Sequence, residues 1–273
     1  MRESATVVIP ARDAAAQLPA TLAPLAGADV VVVDNASRDD TAAVARAHGA
    51  RVVHEPRPSR ARARNAGAAA TGAPLLAFLD AGCVPRPGWL EALTACLARA
   101  DLAGGAVEVR TSEAPTPAER FDAAWRFRQE RNVAAGWSVS ANLGVRREAF
   151  ERVGGFDAAY RHVGEDVDFC LRATAAGARL AYCPAAVVEH DAERTIPAVL
   201  RRAFWQGWSS VQHAERLPGR AGRRYWRHPR PAVAGDYALR ALGIEDRRLL
   251  RIARLDYAAR VAGSLWAEAR RVR

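Results

Sequence analysis

Two uninterrupted apolar runs, Val30–Val33 and Leu75–Leu79, each close on an aspartate, Asp34 and Asp80. A run without polar alternation belongs in a strand covered on both faces, the situation of a parallel sheet. Around them the pattern switches between strand and helix. Thr6–Ile9 is β-branched and stops at Pro10; Leu18, Leu22 and Leu25 recur at helical spacing; Ser37 or Asp39 caps a helix over Thr41–His48; Arg51–His54 is strand-like. Asn65–Thr71 is an alanine-rich helix stopped by Gly72, Pro87–Ala100 a further helix, and Ala106–Arg110 another strand. Strands and helices alternating at this spacing form βαβ units in a doubly wound sheet. Such sheets bind ligands beyond the carboxyl ends of their strands, and that rule puts Pro10–Asp13, Asp34–Ser37 and Asp80–Cys83 on one rim.

Past residue 110 the pattern predicts a loop, one helix over Pro117–Val133, a strand over Val139–Val145, and a helix over Arg147–Val153 closed by Gly154-Gly155. It continues with a helix over Asp166–Ala176 and two short strands, Arg179–Cys183 and Ala186–His190. From Ile196 the chain reads as helices over Ala198–Glu215, Ala232–Leu242 and Arg247–Arg271, with a Gly/Pro/Arg-rich link at 217–231. Half of the 273 residues are hydrophobic, enough for a large core.

All 40 basic residues are arginine. Without lysine there is no Schiff-base nucleophile and no Walker-type phosphate loop. The charge is uneven: residues 194–273 carry 18 arginines against 6 acids, whereas residues 1–193 carry 22 against 24, within a net +10. The excess belongs to the tail and points to an acidic partner for it; its Arg-rich helix over Arg247–Arg271, with interleaved apolar residues, packs on the catalytic domain with a solvated basic face or lies on an anionic membrane surface. The four cysteines, Cys83, Cys96, Cys170 and Cys183, form no CxxC pair, and buried free thiols are expected. The N-terminus shows no secretory pattern and no apolar run reaches eighteen residues, so the expected location is cytoplasmic, with the inner face of the membrane open to the basic tail.

Several residues carry usable chemistry. Asp80, between an apolar strand and Ala81-Gly82, suits a ribose hydroxyl or a divalent metal beside a diphosphate; a turn-capping aspartate is the other reading. Glu165-Asp166 stands at a helix start, where one acid can cap while the other faces a cleft as general base; ordinary N-terminal capping is the other reading. His190 ends a strand, a place for a hydrogen-bonded structural histidine or a ligand sharing a hard cation with a carboxylate. Arg60, Arg62 and Arg64 alternate ahead of Asn65 and suit phosphate oxygens or plain solvent.

Taken in order, Val8-Ile9-Pro10-Ala11-Arg12, Val31-Val32-Val33-Asp34-Asn35-Ala36-Ser37, Ala63-Arg64-Asn65-Ala66-Gly67 and Phe78-Leu79-Asp80-Ala81-Gly82-Cys83-Val84-Pro85 resemble the segments of family 2 glycosyltransferases. Ser140-Ala141-Asn142-Leu143-Gly144, Gly154-Gly155-Phe156-Asp157, Gly164-Glu165-Asp166-Val167-Asp168 and Val187-Val188-Glu189-His190 continue the series to residue 191. The resemblance implies an α/β fold of GT-A (Rossmann-like) type, a mixed sheet flanked by helices. Residues 1–193 would form the nucleotide-sugar-binding catalytic domain and residues 194–273 a helical basic extension. It implies inverting transfer from a nucleoside-diphosphate sugar, a UDP-sugar as first choice, to a glycan, lipid or small-molecule hydroxyl.

On the same resemblance Pro10, Ala11, Arg12, Asp34, Arg64 and Asp80 bind the donor. Asp166 is the catalytic base with Glu165 beside it, and Trp137, Asn142, Gly154 and Gly155 line the acceptor side. Asp80 and His190 hold Mg²⁺ or Mn²⁺. Gly82 departs from the family, standing where the DxD motif carries its second acid, so a weakly held cation or an arginine-assisted, metal-independent reaction also fits. Three other classes compete. A catalytically degenerate nucleotide-sugar binder would keep this pattern. A nucleotidyltransferase would show a Gly/Lys-rich phosphate loop, and a nucleic-acid module would show a reading motif; the sequence has neither.

Overall fold

The computed structural model describes residues 3–160, 163–216 and 246–270. Eight strands make one mixed sheet: β1 Ala5–Ala11, β2 Asp29–Asp34, β3 Arg51–His54, β4 Leu75–Leu79, β5 Cys83–Pro85, β6 Leu102–Arg110, β7 Asn142–Arg146 and β8 Leu180–Asp191, in the spatial order β3-β2-β1-β4-β7-β6-β8-β5. β3, β2, β1 and β4 run parallel; β7 turns antiparallel against β4 and β6.

The apolar runs divide by parity. Val7, Ile9, Val30, Val32, Leu75 and Leu79 face one core with Leu18, Trp89 and Leu93. Val8, Leu76 and Phe78 face a second with Leu143, Phe150, Phe156 and Phe169, while Val31 and Val33 meet Ala63. Both faces are covered, which is why these strands have no polar positions to alternate. The covering helices are α1 Leu18–Leu22, α2 Thr41–Ala47, α3 Arg60–Ala69 and α4 Trp89–Leu97, followed by α6 Gln129–Ala134, α7 Arg147–Arg152 and α8 Glu165–Ala175, with α5 Pro117–Trp125 between α4 and α6 in the chain.

The helix expected over Pro117–Val133 is two helices. α5 opens on a capping box between Thr116 and Glu119, and the chain breaks at Phe127, whose φ of 53° no helix accommodates. The two strands expected at 179–190 are the single strand β8, continuous through Pro184. β5 meets β8 only from Val188 to His190, so at Pro184 that edge has no ladder for the missing N–H to break. The expected free thiols at Cys96 and Cys183 are instead a disulfide, with Cα atoms 6.4 Å apart: α4 and β8 bring together residues 87 positions apart, a proximity that linear spacing does not reveal. Cys83 and Cys170 are buried and outside any disulfide.

Contacts group the chain into two units. One comprises Met1–Glu108, Phe127–Arg161 and Glu165–His190; the other comprises Val109–Arg126, His162–Gly164 and Asp191–Arg273. The second unit therefore draws in α5 besides the C-terminal helices α9 Ile196–Arg216 and α10 Arg247–Ala269. The helix expected over Ala232–Leu242 lies outside the described residues. The second unit's core joins Phe121, Val199, Leu249, Leu250 and Ile252, and its buried Asp122 binds Arg126 at 3.2 Å and Arg202 at 2.5 Å.

α9 and α10 cross backbone to backbone. A Cβ on Gly263 would stand 2.0 Å from the Phe204 carbonyl oxygen, and one on Gly207 would stand 1.9 Å from that of Arg260. Ser264 Oγ uses the closeness to donate to the Gly207 carbonyl at 2.9 Å. Gly263→Val must push the helices apart and is expected to destabilise the protein by about 1–3 kcal/mol, seen as a lowered melting temperature by circular dichroism. An unchanged melt would show that the crossing carries no stability. Among the described residues, no helix is long and apolar enough to cross a membrane.

Candidate functional site

Register places the predicted rim residues side by side. Ala11 pairs with Asp34, Pro10 with Val33, and Val8 with Phe78, so the ends of β1, β2 and β4 are level and Asp80 emerges beside Pro10. Leu79 opposes Asn142 on β7, which brings Ser140 to the same edge. Cys83 opposes His190, returning that histidine toward Asp80.

The loops after β1 and β2 are knitted together. Asp13 N–H donates to Ser37 Oγ at 3.1 Å, and Arg38 N–H to Asp13 Oδ1 at 2.7 Å. Asp13 and Ala36 hold left-handed φ values of 49° and 58°, strain of the kind concentrated at binding rims. Asp34 accepts the Ser37 N–H at 3.1 Å and lies 3.3 Å from His54 Nδ1. Pro10 is half-buried, Ala11 buried and Arg12 exposed.

Arg64 is turned inward. Its side chain is 1% exposed; Nη1 donates to Glu165 Oε1 at 2.6 Å and Nη2 to Asp80 Oδ1 at 2.7 Å. The alternating arginines read from sequence lie on a helix, so the series disperses: Arg60 is exposed, Arg62 half-buried and Arg64 interior. Burial opposes the charge on Arg64, but Asp80, Glu165 and Asp166 outweigh it and hold the guanidinium firmly protonated. Burial likewise raises Asp80, and Arg64 with Arg60 reverses the sign, leaving that carboxyl below its usual range.

The three acids opening α8 have separate tasks. Glu165 is buried on Arg64. Asp168 is buried on Arg172 at 2.7 Å and on the Tyr160 hydroxyl. Asp166 is half-buried and accepts the Ser140 N–H at 3.1 Å. Burial first, and the neighbouring Glu165 second, push its carboxyl up from 3.8 to about 6, against the pull of Arg64 and the N–H groups of Ser140 and Val167. A carboxylate poised near neutrality is suited to take a proton from a hydroxyl.

The acceptor-side residues are placed differently from one another. Asn142 is wholly buried and its amide is spent on the sheet: it donates to the carbonyls of Ala106 and Ala186 and accepts the Trp89 indole N–H, each at 2.8 Å. Trp137 is half-buried against the Phe150–Phe169 core. Gly154 is exposed; Gly155 is buried, and its carbonyl accepts from Arg172 at 2.8 Å.

Gly82 has a backbone reason. Its φ of 95° disfavours any side chain, and its N–H donates to Thr21 Oγ1 on α1 at 3.0 Å, so a second acid here would sit on a strained backbone. Among the described residues no three His, Cys, Asp or Glu side chains converge as a metal cluster. Asp80, 34% exposed with Oδ1 on Arg64, and His190, close enough to lower the Asp80 pKa, still fit Mg²⁺ or Mn²⁺, which draws most of its ligands from phosphate and water. Thr21, Ser140, Asp13 and Ala36 are the site residues that sequence reasoning left without a role. Asp13 and Ala36 had a signal in the rim segments Pro10–Asp13 and Asp34–Ser37, and Ser140 in the Ser140-Ala141-Asn142 segment; Thr21 had none.

The profile of Glycosyl transferase family 2 matches residues 6–154, and that of Glycosyl transferase family 21 matches residues 124–233. The pre-mycofactocin glycosyltransferase of Mycobacterium tuberculosis is 37% identical over 229 residues, 78% of this chain and 48% of that protein. Glycosyltransferase AglE of Haloferax volcanii is 31% identical over 195 residues, 67% of this chain and 63% of that protein. The chain thus spans about half the length of the mycobacterial relative. Among solved structures, the mannosyltransferase PcManGT of Pyrobaculum calidifontis, in complex with GDP-Man and Mn²⁺, superposes with a TM-score of 0.66 at 19% identity over 97% of this chain and 88% of that one. S. aureus TarS gives 0.56 at 13% identity over 97% and 92%. The structural likenesses establish the GT-A fold, and with the family 2 profile covering more than half of its residues, the chain belongs to glycosyl transferase family 2.

Proposed function

We propose that this chain transfers a glycosyl group from a nucleoside-diphosphate sugar to an acceptor hydroxyl by a single displacement with inversion. The observation that carries the reading is Asp166, a half-buried carboxylate at the strand-end rim, raised to about 6 and fixed by the Ser140 N–H. Asp166 takes the hydroxyl proton as the oxygen attacks the anomeric carbon, and the bond to the diphosphate breaks on the opposite face. Pro10, Ala11 and Asp34 surround the nucleoside; Arg12, exposed beside them, is a donor contact. Arg64 acts by positioning, holding Asp80 and Glu165 in one buried bridge. Asp80 and His190 would hold the divalent cation, which supplies positive charge to the departing diphosphate. Trp137 and the Gly154-Gly155 turn serve the acceptor side, while Asn142 fastens the sheet.

Thermal melts with uridine and guanosine diphosphates and their sugars, each with EDTA, Mg²⁺ or Mn²⁺, test the donor site. The guanosine set enters because the Pyrobaculum transferase carries GDP-Man. A ligand bound at one hundred times its Kd stabilises the folded state by about 2.7 kcal/mol. One nucleotide raising the melting temperature, more so with Mn²⁺, is the expected result. No shift with any nucleotide would overturn the reading, and a shift indifferent to EDTA would remove the cation from it.

A further inference from the structure

α10 turns an unusual face to solvent. Its inner face is ordinary: Leu249, Leu250, Ile252, Ala253 and Tyr257 are buried. The outer face holds large hydrophobics that the inner face has no need to spare. Leu255 is 48% exposed, Leu265 61% and Trp266 37%; Ile196 is the other exposed large hydrophobic among the described residues. Arg247, Arg248, Arg251, Arg254 and Arg270 share this outer face. Among the described residues of this segment the one exposed acid is Asp246, which caps the helix by accepting the Arg248 N–H, while Asp256 is buried on Arg260 and Glu268 is half-buried. A helix face built for water mixes both signs of charge and avoids large apolar groups.

Two details give the face direction along the helix. At its start, Arg247, Arg251 and Arg254 stand on one stripe and, with Leu250, line a concavity of about 250 Å³. Toward its end, Trp266 is braced from below by Trp208 at 4.5 Å and Phe204 at 5.7 Å between ring centroids, and the Arg270 guanidinium lies over its ring at 4.1 Å. An indole held rigid, half-covered by a cation and flanked by an exposed leucine has the amphipathic character of an interfacial anchor.

We propose that the outer face of α10 is a docking surface for an anionic lipid bilayer, on which the helix lies flat. The arginines contact headgroup phosphates, and Leu255, Leu265 and Trp266 enter the headgroup–acyl boundary. Charge complementarity selects the occupant: five arginines against one exposed acid among the described residues, the helix-capping Asp246, call for a dense anionic surface. The interleaved leucines, which gain nothing from a phosphate backbone, favour lipid over nucleic acid. The inference concerns the C-terminal unit alone and stands apart from the transfer reaction.

Flotation of the 273-residue chain with vesicles of phosphatidylcholine, with and without phosphatidylglycerol, tests it without donor or acceptor. The chain is expected to float with the anionic vesicles at low salt, at least about tenfold more than with neutral ones, and to be released by high salt. Leu255→Glu/Leu265→Glu, two exposed positions, is expected to reduce flotation about tenfold with the melting temperature unchanged. Should the double variant melt lower, Leu265→Ser alone is the substitute, with a smaller loss expected in the same direction. Absence of flotation at low salt, equal flotation on neutral vesicles, or full flotation of a folded variant overturns the proposal. Salt-sensitive RNA binding without flotation, or concentration-dependent self-association that the double variant abolishes without flotation by the native chain, overturns it in favour of those occupants.

Discussion

Asp166→Asn is expected to lower the turnover of nucleotide sugar by about 10²–10⁴ while leaving donor binding in place. The amide keeps the shape and can still accept the Ser140 N–H, but it cannot take a proton. The native pH profile carries the same information. With its carboxyl raised from 3.8 to about 6, Asp166 holds its proton at low pH and cannot act as base, so the rate should rise with pH through about 6 and level off above it. The variant's residual rate should lack that limb. Stability moves the opposite way. A carboxyl that binds its proton more readily folded than unfolded contributes most below pH 4, and the contribution is lost as pH rises through about 6. At pH 7–8 the charged Asp166 therefore opposes folding, and the Asn variant should melt no lower than the native protein. A folded Asp166→Asn protein with native turnover, or with the native pH limb, would sink the assignment.

The strands that build the rim were readable because they are buried on both faces. Val30–Val33 and Leu75–Leu79 have no polar residue to blur their ends, and the aspartates that close them mark where the backbone leaves the sheet. The resemblance then named the rim residues in order, and register set Pro10, Asp34 and Asp80 together as that order implied. The unread features depend on partners distant in sequence. β5 has only three residues and exists because β8 pairs with it. The Cys96–Cys183 disulfide needs α4 and β8 in place first.

The surroundings of single residues were hidden for a related reason. Arg64 was read with Arg60 and Arg62 as suiting phosphate oxygens or solvent, and by resemblance as a donor contact; helix geometry separates it from the other two and aims it at acids 16 and 101 positions away. Gly82 stands where the family's motif carries its second acid; its φ of 95° shows a turn that favours glycine, with Thr21 receiving the N–H. In both cases the residue type was legible, and its role was set by backbone direction, which sequence reports only indirectly.

Arg64→Met tests the buried bridge and should be the most destabilising single change at the site. Met fills a similar volume, so the loss is electrostatic. It leaves Glu165, 4% exposed, without its guanidinium, and frees Asp80, 34% exposed, to lean toward water. Breaking a buried pair by removing one partner costs about 3–5 kcal/mol, because the remaining charge is stranded. At roughly 2–4 °C per kcal/mol for a domain of this size, the melting temperature should fall by roughly 6–20 °C. The acid side should respond as well. Arg64 and Arg60 hold the Asp80 carboxyl below its usual range, so in the native protein this stabilisation is present above pH 4 and lost as pH falls through the lowered value. In the variant burial is less opposed, and that acid-side loss should shrink. Arg64→Lys should rescue little, since one ammonium cannot span two carboxylates as a planar fork does. Arg64→Met/Glu165→Gln should recover much of the loss, because the double variant strands no charge at Glu165, and this coupling between the two sites is what a double-mutant cycle reads. A single variant melting like the native protein, or a double variant no better than the single, would mean that the bridge is incidental to the fold and that Asp80 is held in place by its strand end alone.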